Sequence, residues 1–346
     1  MIRLALALSL LAGAADAQSP GFDRLSIAAP HRGGDLAAGL WFPATAGTPA
    51  WIGETILFRG VEALTEASPT PGAHPLILVS HGSGGSLTGL SWLGAGLARQ
   101  GAVVLMVNHP GSTSGDSTPL GSLPLDLRAR DLSAALDQAL GDPALAARID
   151  PDRIAVLGFS MGGGTALQLA GARFDRAAYG AYCDRSGAAG MDCLWLRSGG
   201  VDPADLPLRM EADLRDPRIS AVIGVDPAFG HAFTPESLAA MELPALLISL
   251  GETGPGSGWE AVDIGPQGAN LAGQMPQARH QVIAPAWHFS FLAECKLLGP
   301  LLIWWEGEEP ICSDPEGSDR GAVQAQVVAA VGGALGLPGA GALAAR

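Results

Sequence analysis

Six short apolar runs recur along the chain, each dominated by valine, isoleucine, leucine or alanine and each bounded by polar or glycine-rich stretches. They are PLILVS (75–80), AVVLMV (102–107), RIAVLG (153–158), ISAVIGV (219–225), PALLISL (244–250) and RHQVIA (279–284). Continuous runs of this length predict strands buried on both faces, as in a parallel sheet. The spacing of apolar positions between them predicts helices over 87–99, 125–140, 161–173, 235–241 and 318–335. In the second of these, Leu127, Leu132, Leu136 and Leu140 fall on one stripe. Residues 25–57 read as an antiparallel start, with DLAAGLWFP as one strand. Strands alternating with helices predict an α/β fold built on a mostly parallel, doubly wound sheet.

Residues 174–216 break this rhythm. They hold two cysteines, Trp195, several glycines and scattered charges, with no clean period. A long irregular insertion in a compact domain is usually functional or disordered. Here it predicts a disulfide-pinned lid over the carboxyl edge of the sheet. The tail GGALGLPGAGALAAR (332–346) is low in complexity and is expected to fray.

The first residues, MIRLALALSLLAGAADA, combine Arg3, a short apolar core and the small-residue end Ala15-Asp16-Ala17. That pattern predicts a secretory signal peptide over 1–17, leaving 18–346 as a single domain. No later stretch is apolar for long enough to span a membrane, so a secreted or periplasmic protein is expected. The net charge is −14, and Lys296 is the one lysine. This balance argues against a nucleic-acid partner and against an anionic membrane surface. In an oxidising compartment the four cysteines become informative. Loop closure favours near neighbours, which pairs Cys183 with Cys193 and Cys295 with Cys312. A zinc site is the rival, but no CxxC spacing occurs and no histidine is suitably placed.

GFSMGG (158–163) sits where the run RIAVLG gives way to the helical MGGGTALQLAG. A serine crowded by small residues at a strand-to-helix turn is the order that a nucleophile elbow needs, which makes Ser160 the candidate nucleophile. The plain alternative is an ordinary turn. SHGSGG (80–85) follows another predicted strand, so its backbone reaches the same sheet edge. The amides of Met161 and Ser83 become the candidate oxyanion donors. Of seven histidines, His288 in PAWHFSF lies beyond the last predicted strand, where the base belongs. For the acid, Asp226, short, at the very end of ISAVIGV and followed by Pro227, is favoured, with Glu252 in LISLGETG the alternative and Asp263 a lesser candidate. Trp92, Trp287 and Phe289 are candidates for an apolar pocket wall, with core packing the alternative for each.

SHGSGG, VNHPGS, RARDLSAALD, GFSMGGGTALQLAGAR, the cysteine-bearing insertion and WHFSFLAEC together resemble the bacterial family called predicted dienelactone hydrolases. That family is similar in turn to platelet-activating-factor acetylhydrolases. The resemblance runs from about Leu25 to about Arg320 and implies an α/β-hydrolase fold with a serine–aspartate–histidine triad. Its aspartate follows the strand after the nucleophile, which supports Asp226 in GVDPAF. True dienelactone hydrolases use a cysteine where this chain has Ser160, so that substrate name does not transfer. SMGGG also resembles the elbow of bacterial cutinases and polyester hydrolases, which the rest of the chain resembles less.

These readings converge on a serine esterase that needs no cofactor or metal and acts on a small or lipid-like ester. A polyester or cutin hydrolase is the first alternative. A catalytically inactive binding protein on the same fold is the second.

Overall fold

A computed structural model of the chain describes residues 19–187, 190–251, 263–306 and 311–340; the expected leader (1–17) and Glu252 lie outside them. Among the described residues nine strands follow in chain order: β1 (Ser19–Ala29), β2 (Gly34–Ile52), β3 (Val61–Pro69), β4 (His74–Ser80), β5 (Val103–Val107), β6 (Ile149–Phe159), β7 (Ala221–Val225), β8 (Ala245–Leu250) and β9 (Ala278–Ile283). They form one sheet in the spatial order β1-β3-β2-β5-β4-β6-β7-β8-β9. The six apolar runs are β4 to β9, and every pairing among them is parallel. The antiparallel start is β1 and β2, and β2 also joins the parallel block antiparallel to β5.

Seven described helices reach eight residues: α1 (Ser91–Arg99), α2 (Leu125–Gly141), α3 (Met161–Ala170), α4 (Arg176–Ser186), α5 (Met191–Ser198), α6 (Gly299–Glu306) and α7 (Arg320–Ala334). Strand residues alternate between the two sides of the sheet, as the period of two requires. In β4, Leu76 and Leu78 pack with α2 and α3, while Ile77 and Val79 pack with α1 and α7. Both sides are therefore covered, which is why these strands read as unbroken apolar runs.

Three expectations need correction. The inward face of α2 is Leu125, Ala129, Leu132, Ala135, Leu136 and Ala139, together with Arg128 and Asp131; Leu127 and Leu140 are only half-buried. The helix is rotated because both charges find buried partners, described below. The insertion 174–216 is not irregular throughout, since α4 and α5 lie within it. Two bridges, Cys183–Cys193 and Cys295–Cys312, have the expected pairing. Finally, the tail does not fray as far as residue 340: Leu337 is buried, Arg153 donates to the carbonyls of Leu335 and Gly336, and the Gly339 amide donates to the Gln100 carbonyl.

Candidate active site

β4 has β5 on one side and β6 on the other, and the helices that follow β4 and β6 pack on opposite faces of the sheet. Such a switch point opens a crevice at the carboxyl ends of the strands. The loops SHGSGG and GFSMGG both emerge there.

Ser160 follows β6 directly and precedes α3 with φ 53° and ψ −121°, a conformation that residues with side chains rarely adopt. Its backbone is held in place: the amide donates to the Val225 carbonyl at 3.0 Å, and the carbonyl accepts from the amides of Gly163 and Ala228 at 2.8 and 2.9 Å. A Cβ on Gly158 would collide with the Gly162 carbonyl, and one on Gly162 with the Ser80 carbonyl. The small residues around Ser160 therefore serve the close approach of strand, helix and the loop after β4.

Asp226 follows β7 with φ 41°, and its side chain is fully buried. One oxygen accepts from the Leu250 amide at 2.9 Å, and the other meets His288 Nδ1 at 3.0 Å. Burial pushes this carboxyl above its ordinary range, opposed by the bond from His288. The Asp226 bond requires the Nδ1–H form of the neutral His288 ring, leaving Nε2 as the free acceptor. The ring stacks on Phe159 at 4.6 Å between centroids, and Phe159 stacks in turn on Phe291 at 4.3 Å.

The turn that carries His288 is anchored from behind. Ser290 donates from Oγ to Asp314 at 2.6 Å, and Arg320 at the start of α7 binds both Asp314 and the carbonyls of Ala293 and Ile311.

Ser160 and His288 line one cavity of about 610 Å³ with Ser83, Met161, Trp195, Phe229 and Phe289. Their side chains are not hydrogen-bonded to each other here; such contacts often tighten only when substrate binds. The loop that carries Ser83 passes close to the nucleophile: a Cβ on the preceding Gly82 would lie 3.1 Å from the Ser160 Cβ. The Ser83 hydroxyl is engaged by those of Ser117 and Ser122 at 2.8 and 2.9 Å. Of the three aromatic candidates, Phe289 lines the cavity, whereas Trp92 packs edge-on against Phe291 in the core. Asp263 is exposed and does not meet the His288 ring.

Sequence reasoning missed two features. Asp192, in α5, is the one carboxylate among the described lining residues, where lysine and arginine are absent. It accepts from the Phe229 amide at 2.6 Å, and burial raises its pKa. The second is a buried polar cluster behind SHGSGG. Asp131 receives both the Arg32 guanidinium and His31 at 2.7 Å, and His109 Nδ1 at 2.8 Å. Arg128, fully buried, donates to the hydroxyls of Ser80, Ser112 and Thr165 and to the His81 carbonyl. VNHPGS and RARDLSAALD were visible as motifs, but nothing in their spacing said that the charges turn inward.

The family described as "PETase: PET hydrolase-like" matches residues 61–181. A cutinase of Thermobifida alba is 42% identical over 101 residues, covering 29% of this chain and 31% of that protein. A bis(hydroxyethyl) terephthalate hydrolase of Streptomyces coelicolor is 34% identical over 116 residues, 34% of each chain. The matched stretch thus spans about a third of these relatives. A ferulic acid esterase from Streptomyces cinnamoneus superimposes with TM-score 0.58 at 20% identity, over 93% of this chain and 90% of its own. The fold is the α/β-hydrolase fold.

The likeness to cutinases extends beyond the elbow, and it supports that side of the sequence reading rather than the dienelactone name. The 61–181 match contains Ser83, Ser160 and Met161 but stops before Asp226 and His288.

Proposed function

We propose that the protein is a serine ester hydrolase in which Ser160 is the nucleophile, His288 the base and Asp226 the acid that orients it. The observation that carries this reading is the buried Asp226–His288 bond of 3.0 Å, opening onto the cavity that the strained Ser160 also lines. His288 Nε2 takes the Ser160 proton as Oγ attacks the ester carbonyl. The oxyanion is received by the amides of Ser83 and Met161. The alcohol departs with the proton from His288, and water then hydrolyses the acyl-enzyme by the same steps. Asp226 accepts from Nδ1–H throughout, and the face of Phe159 favours the imidazolium that forms.

The substrate is an uncharged ester of modest size. A cavity of about 610 Å³ falls in the range of small-molecule sites. Met191, Asp192 and Trp195 of the insertion wall it, which supports a lid and favours an ester that enters over a polymer lying across an open groove. Polyester hydrolysis is the second reading, favoured by the likeness over 61–181. The leader pattern and the two disulfides support work outside the cytoplasm.

A panel of p-nitrophenyl esters from acetyl to palmitoyl, run beside a polyester film, tests this. Turnover that peaks at short or medium acyl groups, with little release from the film, is expected. Comparable turnover on the film would favour the polymer reading, and no hydrolysis of any ester would remove both.

A further inference from the structure

The oxyanion loop is glycine-rich, with Gly82, Gly84 and Gly85 around Ser83, so the backbone alone leaves the direction of the Ser83 amide loosely set. We propose that His81 is the positioning residue of the oxyanion hole, its ring holding the Gly82–Ser83 peptide so that the Ser83 N–H faces the site. This rests on the reading of Ser160 as an ester-attacking nucleophile.

The His109 backbone amide donates to His81 Nε2 at 3.2 Å, so that nitrogen carries a lone pair. The ring proton therefore sits on Nδ1, and the 2.7 Å contact with the Gly82 carbonyl is a bond donated by the ring. The Gly85 amide donates to the same oxygen at 3.1 Å. In a trans peptide the carbonyl and the following N–H point in opposite directions. Pinning the Gly82 oxygen from behind thus sets where the Ser83 N–H points, and the donated bonds polarise that N–H further.

His81 is itself held on every side. Arg128 donates to its carbonyl. His109, whose backbone fixes the His81 tautomer, has its own ring locked: Nδ1–H donates to Asp131 at 2.8 Å, and Nε2 accepts from the Ser80 hydroxyl at 2.9 Å. Ser80, His109 and Asp131 have the composition of a catalytic triad, yet all three are fully buried. They form no second reaction centre; they hold the oxyanion loop. Burial, ahead of the neighbouring charges, keeps both rings neutral, with His109 lowered to about 3.

Two substitutions separate the two ring nitrogens. Asparagine places its amide nitrogen near the position of Nδ1, whereas glutamine reaches towards Nε2 without replacing the donor to Gly82. His81→Gln is expected to lower kcat roughly ten- to a hundredfold with KM changed by less than about threefold. It should weaken a boronic-acid inhibitor, which mimics the tetrahedral state, by a similar factor. His81→Asn should recover most of both losses. The 15N-histidine spectrum of the wild-type protein should place ring 81 in the Nδ1–H form, a readout that holds even if His81→Gln does not fold. Equal losses in the two variants, a loss confined to KM, or an Nε2–H ring would overturn the proposal. A wild-type protein that hydrolyses no ester is a different failure, that of the esterase reading itself.

Discussion

Ser160, Asp226 and Phe229 all hold positive φ angles, at 53°, 41° and 63°, within one stretch of the cavity wall and its immediate backing. Each such residue costs of order 1–3 kcal/mol unless its surroundings hold it there. Here the hydrogen bonds at Ser160, the Leu250 amide on Asp226 and the Asp192 carboxylate on Phe229 do so. If Ser160 and His288 act as proposed, Ser160→Ala and His288→Ala each lower kcat/KM on a p-nitrophenyl ester by roughly a thousandfold or more. Asp226→Asn is expected to cost less but still heavily. Asp226 accepts from both the Leu250 amide and Nδ1–H, and asparagine keeps one acceptor oxygen, so with that oxygen on Leu250 its NH2 group faces Nδ1 and favours the wrong tautomer. Glu252→Gln should be mild, and a crippling effect there would move the acid assignment. Asp192 adds a prediction about charge. An ester bearing a carboxylate should be hydrolysed several-fold more slowly than its neutral analogue, and Asp192→Asn should narrow that gap most at low salt. An unchanged ratio would show that Asp192 does not set charge preference.

At the scale of elements, legibility followed the physics of burial. β4 to β9 were readable because strands covered on both faces leave no polar alternation to confuse. β3 was not, since VEALTEASP carries Glu62 and Glu66 and pairs along only part of β2 across irregular register. The buried face of α2 was misjudged because charge ordinarily marks the solvent side; Arg128 and Asp131 invert that rule through partners distant in sequence. The strand-to-helix turn at Ser160 was legible from local order, whereas Asp226 could be favoured over Glu252 only by its place at a strand end and by resemblance, because the contact with His288 spans 62 residues. The bridges make separate predictions. Cys295–Cys312 closes the segment just beyond the His288 turn, so Cys295→Ser should lower both melting temperature and turnover. The expected loss is about 2–4 kcal/mol. Cys183–Cys193 joins α4 to α5, which carries three lining residues, so Cys183→Ser should act mainly on preference among acyl lengths. Identical acyl-length profiles before and after that substitution would count against a lid role.

Across the whole molecule, the buried cluster ties the turn after β1, through His31 and Arg32, to α2 and to the loops after β4 and β5. Its titration predicts how the fold meets acid. Burial, and then the Arg128 charge, lower the His109 pKa from its ordinary 6.5 to about 3. Between those values the unfolded chain binds a proton that the folded ring does not, so stability falls as pH drops through that window. The slope is at most about 1.4 kcal/mol per pH unit from this ring. Melting temperature should therefore decline as pH falls below about 6.5, and His109→Gln should flatten that decline even if it lowers stability at neutral pH. A melting temperature constant from pH 7 to 4.5 would contradict the neutral, buried assignment.

The claim on which the account rests is that Ser160 is an activated nucleophile, and covalent trapping tests it most directly. Treat the protein with a fluorophosphonate, digest it, and locate the adduct by mass spectrometry, with His288→Ala alongside. The account predicts one equivalent of label on the peptide containing Ser160, loss of ester hydrolysis in proportion, and far slower labelling of the variant. No adduct, or an adduct elsewhere with hydrolysis intact, would contradict it.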